Sequence, residues 1–228
     1  MSEDLPTIPF TASLARKLEE ASEVLKNHQG LVRIISHYDP DGISAAAIGC
    51  QMVKRLGLGF HCTLVKKLND QKVQEIRDST PEDHLIIFSD MGSAKVSQLD
   101  VFPNKVIVVD HHQPESEGQN IFHLNPHLFD IDGAGEASGS SFYLALAITV
   151  DEANWDLAGL ALAGACGDRQ NLGGYKGYNE DLVQAAIGRE LIKKETVPNL
   201  KGQTIYDSLI EWPEPYFKGI TGRKREAS

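Results

Sequence analysis

Leu31-Val-Arg-Ile-Ile-Ser36 runs directly into His37-Tyr-Asp39-Pro-Asp41-Gly42, and the reading of this stretch decides the fold. The first half is a short β-branched run without polar alternation, the pattern of a strand buried on both faces in a parallel sheet. The second half is polar and turn-forming, and the helical pattern of residues 43–56 follows it. Strand, polar turn and helix in that order form the start of a βαβ unit.

The same alternation continues outward. Residues 12–28 read as a helix, with Leu14, Leu18, Ala21 and Leu25 at helical spacing. Further strands fit residues 60–65, 84–89, 105–109 and 120–124, with a short helix near 94–99. Beyond a glycine-rich turn at Gly133, Gly135 and Gly139, helices are expected at 140–149, 155–166 and 179–194. The reading is an α/β fold, a parallel sheet flanked by helices, with a helical C-terminal part. The expected division is a catalytic domain over residues 1–200 and a linker or tail over 201–228, which contains Pro213 and Pro215 and reads as irregular.

Composition narrows the classes. At 228 residues, 41% hydrophobic and 24% charged, the chain can bury a sizeable core. No segment approaches the ~20 apolar residues of a membrane span. The opening Met1-Ser-Glu-Asp is acidic where a signal peptide is basic, so a cytoplasmic protein is expected. Cys50, Cys62 and Cys166 are odd in number and lack CxxC spacing, which argues against a disulfide framework or a zinc knuckle. A formal net charge of −10 argues against a nonspecific nucleic-acid coat but not against a nuclease, because metal-binding carboxylates make a site acidic until cations arrive.

The polar residues cluster at strand ends. The first strand runs into His37, Asp39 and Asp41, the third into Asp90-Met-Gly92, and the fourth into Asp110-His111-His112. In an open parallel sheet these carboxyl ends share one edge, where ligands bind. Asp168, at the end of a small-residue helix, is a further candidate. Carboxylate with imidazole suits manganese, and carboxylate suits magnesium. Two cations ~3.5–4 Å apart require a bridging carboxylate and terminal ligands on each side. Any one of these motifs alone reads as a turn, a helix cap or a pair of loop histidines; their joint placement at strand ends favours a site. His28, His61 and His84 carry no such signal, and His123 and His127 stay open. Ala137-Ser138-Gly139-Ser140-Ser141 reads equally as a helix N-cap or as a cradle of amides and hydroxyls for a substrate phosphate.

Asp110-His111-His112 and the three other motifs, in order over residues 30–170, resemble the DHH phosphoesterase family. Ile34-Ile-Ser-His37-Tyr-Asp-Pro-Asp-Gly42 and Gly167-Asp168-Arg169-Gln170 look most like archaeal RecJ-like nucleases. The resemblance implies two divalent cations, Mn2+ or Mg2+. It implies that His37 and Asp39 bind one and Asp41 the other, with Asp90 bridging and His111 and Asp168 completing the second. It gives Asp110 the task of orienting the metal-binding histidine, and His112, with Ser138 and Ser140, contact with the substrate. The implied activity is exonucleolytic hydrolysis of single-stranded DNA or RNA, with a GINS-like replication complex as a partner and no membrane. The family's C-terminal substrate-binding domain, marked by Gly-Gly-Gly-His, has no counterpart, since Gly173-Gly174-Tyr175 is not that motif. The expectation is a fragment or a chain that works with a partner. Two rivals stand beside this reading: a hydrolase of short oligonucleotides, cyclic dinucleotides or pyrophosphate, and a replisome scaffold of the same fold. The spacing His37-x-Asp39 is shorter than the pyrophosphatase motif and disfavours pyrophosphate, and the filled ligand positions favour catalysis.

Overall fold

The opening stretch forms β1, Val32–His37, and α2, Pro40–Arg55, after α1, Ala12–Lys26. The computed structural model describes residues 7–195, 203–211 and 216–222. Four more strands follow: β2 Phe60–Val65, β3 Leu85–Ser89, β4 Val106–Val109 and β5 Ile121–Leu124. All pairings are parallel and the order is β2-β1-β3-β4-β5. This order has its topological switch between β1 and β3, where successive crossovers leave in opposite directions and open a crevice at the carboxyl ends. The expected α/β architecture is therefore the one observed.

Strand residues alternate between two cores, as the pleat requires. Ile34, Ile87 and Ile107 join a core with Leu18 of α1, Met52 of α2 and Phe142 of α5, Gly139–Val150. Ile35, Ile86 and Val108 face the other way, against Val73 and Ile76 of α3, Asp70–Ser79, and Val96 and Leu99 of α4, Val96–Leu99. Each fully buried isoleucine contributes about 1.5–3 kcal/mol of transfer free energy, so the three-layer arrangement follows from the strand composition. Behind the first layer lie α6, Ala158–Gly167, packed on α2 and α5, and α7, Gly177–Gly188. The small residues Ala45, Ala46 and Gly49 of α2 let these helices approach closely, and they bring the N-terminus of α2 to that of α5.

Three details differ from the sequence expectation. The polar stretch before residue 43 is not a loop: Asp39 caps α2, and Pro40 occupies its first turn, where a missing N–H costs nothing. Asp41 is thus a helical residue. The helix α3 was not expected, because only Val73 and Ile76 of its ten residues are buried and its apolar signal is weak. In the tail, Ile205–Ile210 forms α8, held by a capping box between Thr204 and Asp207, where an irregular segment was expected.

The chain divides into compact units of residues 1–192 and 193–228. The expected boundary at 200, both tail prolines, the acidic N-terminus and the basic run after Gly222 lie outside the described residues. Among the described residues no helix is long and apolar enough to cross a membrane.

Candidate metal centre

The sheet brings the strand-end residues together. His37 is the last residue of β1, and Asp90 and Asp110 directly follow β3 and β4. Ser36 ties the first two strand ends, its hydroxyl donating to the Gly42 carbonyl at 2.7 Å and to the Ser89 carbonyl at 3.1 Å. Asp90 adopts φ 55°, a left-handed conformation that costs a non-glycine residue energy and marks functional sites.

His37, Asp39 and Asp90 form one group of convergent ligand atoms, and Asp41, His111 and Asp168 form another. His37 Nδ1 lies 2.7 Å from Asp39 Oδ2 and 3.4 Å from Asp90 Oδ2. Yet Nδ1 makes no hydrogen bond, and neither does either oxygen of Asp90, although all three atoms are buried. Buried polar atoms without partners are costly, and atoms facing one another this way have the arrangement of ligands around a cation. On the other side, His111 Nε2 lies 3.2 Å from Asp90 Oδ1, 3.1 Å from Asp168 Oδ2 and 3.8 Å from Asp41 Oδ2. Asp90 stands between the groups with one oxygen toward each. The donor set is carboxylate and imidazole without thiolate, so the residues fit Mn2+ or Mg2+.

Asp41 is fully buried, and its surroundings correct the reading of the serines. Its Oδ2 accepts from the Gly139 N–H at 2.6 Å, and its Oδ1 from the Ser140 N–H at 3.1 Å and from the Ser140 hydroxyl. The N-terminus of α5 therefore cradles this carboxylate of the chain itself. Ser138 is the N-cap of α5 in a capping box with Ser141, and both Ser138 and Ser140 are fully buried. Neither hydroxyl is open to a substrate. The cap reading holds, and the anion at the helix N-terminus is Asp41.

The histidines are held by different partners from those expected. Asp110, read as orienting the metal-binding histidine, instead takes the ring of His112, Nδ1 to Oδ1 at 2.7 Å. Its Oδ2 accepts from the Ser93 N–H at 2.9 Å. The His111 ring is fixed by the Gly133 carbonyl, 2.7 Å from Nδ1, which leaves Nε2 facing the carboxylates. His111 turns into the carboxylate cluster, while His112, which also converges with His111 on Asp90 at 4.0 Å from Nδ1 to Oδ1, is held by Asp110.

Sequence reasoning quotes Gln170 within a motif but gives it no role; its amide donates to the Gly133 carbonyl at 3.1 Å and accepts from Asn179 at 2.6 Å. Sequence reasoning missed Asn125, which bonds the Ser93 hydroxyl and the His112 carbonyl, each at 2.8 Å. Isolated amides carry no chemical signature in a sequence. Of the open histidines, His123 is buried and bonded to Ser93 Oγ at 2.9 Å, a structural role, while His127 lines a cavity with His111 and Asp168.

The charges explain how tightly this cluster depends on counterions. Burial, joined by the carboxylate of Asp41 and opposed by the His111 ring 3.2 Å away, pushes Asp90 up to about 8. Burial also raises Asp41. His111 resists its own burial through the facing carboxylates of Asp168 and Asp90, which push it up to about 12. Asp110 is held well below the usual range: burial works against it, but the His112 ring and the Ser93 amide overcome that. A proton on Asp90 must leave before a cation binds there, so manganese affinity is expected to rise with pH through about 8. Thermal melts in EDTA and then in manganese provide the measurement. At ~100 times its Kd, a cation that binds only the folded state adds about 2.7 kcal/mol. An unchanged melting temperature at millimolar manganese would count against the site.

Residues 31–165 match the DHH family, N-terminal domain. An uncharacterized protein of Methanocaldococcus jannaschii is 30% identical over 222 residues, covering 91% of this chain and 50% of that protein. The structure of exonuclease RecJ bound to manganese superposes with TM-score 0.62 at 23% identity, covering 76% of this chain and 48% of RecJ. CDC45 from Entamoeba histolytica gives TM-score 0.64 at 22% identity, covering 86% and 45%. This chain spans about half the length of the relatives it matches. The family match runs from the start of β1 into α6 and takes in every residue of the centre except Asp168, and on that match the chain belongs to the DHH family.

Proposed function

We propose that this chain is a two-metal phosphodiesterase that degrades single-stranded nucleic acid as a RecJ-like exonuclease. The observation that carries the reading is Asp90: buried, in a left-handed conformation, free of hydrogen bonds on both oxygens, and placed between two groups of ligands. His37 and Asp39 would hold one cation, Asp41, His111 and Asp168 the other, and Asp90 both. When bound, such a pair supplies Lewis-acid charge stabilisation and an activated water at neutral pH. The manganese in the RecJ structure supports this assignment.

The chain's own residues do the rest. Asp110 fixes the His112 ring through Nδ1 and raises its pKa, against partial burial, so that His112 carries a proton more readily. Its Nε2 edge is then a donor for a non-bridging phosphoryl oxygen. His112 is half exposed and lines the cavities on both sides of the centre, where a strand would pass. His111, by contrast, is turned into the carboxylates.

This division predicts different variants. His111→Ala should weaken manganese binding by about 10–100-fold. His112→Ala should leave manganese affinity within about threefold and lower kcat by about 10²–10³. Calorimetric titration beside rate measurements separates them, and equal loss of metal in both would refute the division. The activity itself is tested with end-labelled single-stranded DNA and RNA incubated with manganese or magnesium and resolved on a gel. Stepwise shortening from one end is expected. Turnover of dinucleotides or cyclic dinucleotides without any on longer strands would favour the small-substrate reading. Ordered binding without cleavage would favour a scaffold.

A further inference from the structure

One wall of the site carries cations although the chain as a whole is acidic. Lys66 and Lys67 directly follow β2, which pairs with β1 so that Val65 sits beside His37. The two lysines therefore leave the sheet at the same edge as the metal ligands. With Lys95 they line a cavity of about 200 Å³ that also reaches His37, Asp90 and His112. Lys95 is engaged by Asp70, its Nζ 2.5 Å from Oδ1. Among the described residues, no ion pair is formed by Lys66 or Lys67, and both side chains are exposed. In a chain of net charge −10, two uncompensated lysines beside the four carboxylates of the ligand groups are positioned for an anion from outside.

Tyr38 lies next to this wall. It is 49% exposed, with its ring edge-on to His37 at 5.1 Å and Lys66 Nζ 5.9 Å from its centroid. An aromatic ring half open to solvent beside a metal ligand is a stacking platform, which every nucleobase can use and no simple phosphate can. Leu68 and Met91 add apolar surface to the cavity. Its volume falls below the roughly 300–1,000 Å³ of drug-sized ligand sites, which suits one unit of a single strand and not a duplex.

We infer that this wall is the subsite for the nucleotide beside the scissile phosphate: Lys66 and Lys67 take its phosphate, and Tyr38 stacks on its base. The inference rests on the phosphoesterase reading for the identity of the neighbouring site, and it specifies single-stranded substrate because the base must be unstacked to reach Tyr38.

Binding can be measured apart from hydrolysis. A single-stranded trinucleotide containing 2-aminopurine is titrated into the full chain in EDTA at low ionic strength, where stacking quenches its fluorescence. Wild type should bind with quenching. The double variant Lys66→Gln/Lys67→Gln should raise Kd about tenfold and make the log–log salt slope shallower by about 0.7, as expected for one single-strand phosphate contact. Tyr38→Ala should remove the quenching and Tyr38→Phe should keep it. No binding by wild type, an unchanged Kd and slope in the double variant, or quenching that survives in Tyr38→Ala would each overturn the subsite. Circular dichroism of each variant confirms that the fold is retained. Hydrolysis of bis(p-nitrophenyl) phosphate by the wild type with manganese is scored separately. Its failure would sink the phosphoesterase reading, while the trinucleotide titration still decides the subsite.

Discussion

Asp90→Ala is expected to lower hydrolysis by at least about 10³-fold, equivalent to about 4 kcal/mol of transition-state stabilisation, and to abolish the rise in melting temperature on adding manganese. The side chain removed has one oxygen 3.4 Å from His37 and the other 3.2 Å from His111, so its loss damages both ligand groups at once. Loss of a terminal ligand such as Asp39 damages one. The metal-free variant should be no less stable than the wild type, and of order 1 kcal/mol more stable, because a buried carboxyl without partners is removed from beside Asp41. Melts in EDTA check the stability, and rates on labelled single strands check the activity. Near-normal turnover, or a manganese shift that persists, would defeat the bridging assignment.

Gly164→Ala should be as damaging from a residue that touches no substrate. A Cβ at this position of α6 would lie 2.6 Å from Asp41 Oδ1 and closer still to the Ser140 hydroxyl. Both groups are fully buried and bonded to each other, so neither can withdraw into solvent. Overpacking of this kind costs about 1–3 kcal/mol, and any shift of Asp41 also displaces a carboxylate of the proposed metal centre. The expected result is a melting temperature lowered by several degrees together with manganese affinity reduced at least about tenfold. Gly159→Ala in the same helix is the control, since its Cβ would meet nothing closer than 4.0 Å. If both variants behave as wild type, the contact between α6 and the Asp41–Ser140 pair is not constraining the centre.

Comparison with the sequence reading separates two kinds of information. The β-branched runs around Ile34, Ile87 and Ile107 were legible as buried parallel strands because burial on both faces demands continuous apolar composition. The convergence of His37, Asp90 and His111 was legible for a related reason: in a parallel sheet, strand ends share an edge whatever the distance along the chain. The helix α3 was not legible, since its two buried residues leave little periodic signal.

The direction of individual side chains was decided only by the tertiary structure. Ser138 and Ser140 looked like donors to a substrate because a Ser/Gly turn before a helix offers amides and hydroxyls to any anion. Packing of α2 against α5 brings the chain's own Asp41 into that position, 98 residues away along the chain from Gly139. Asp110 could in principle orient either neighbouring histidine. The sheet turns His112 onto it, and the distant Gly133 carbonyl takes His111. Local sequence therefore determined which elements form and which reactive groups stand at their ends. The hydrogen-bond partners of those groups come from helices and turns remote in sequence, so only packing decided which side chains face one another.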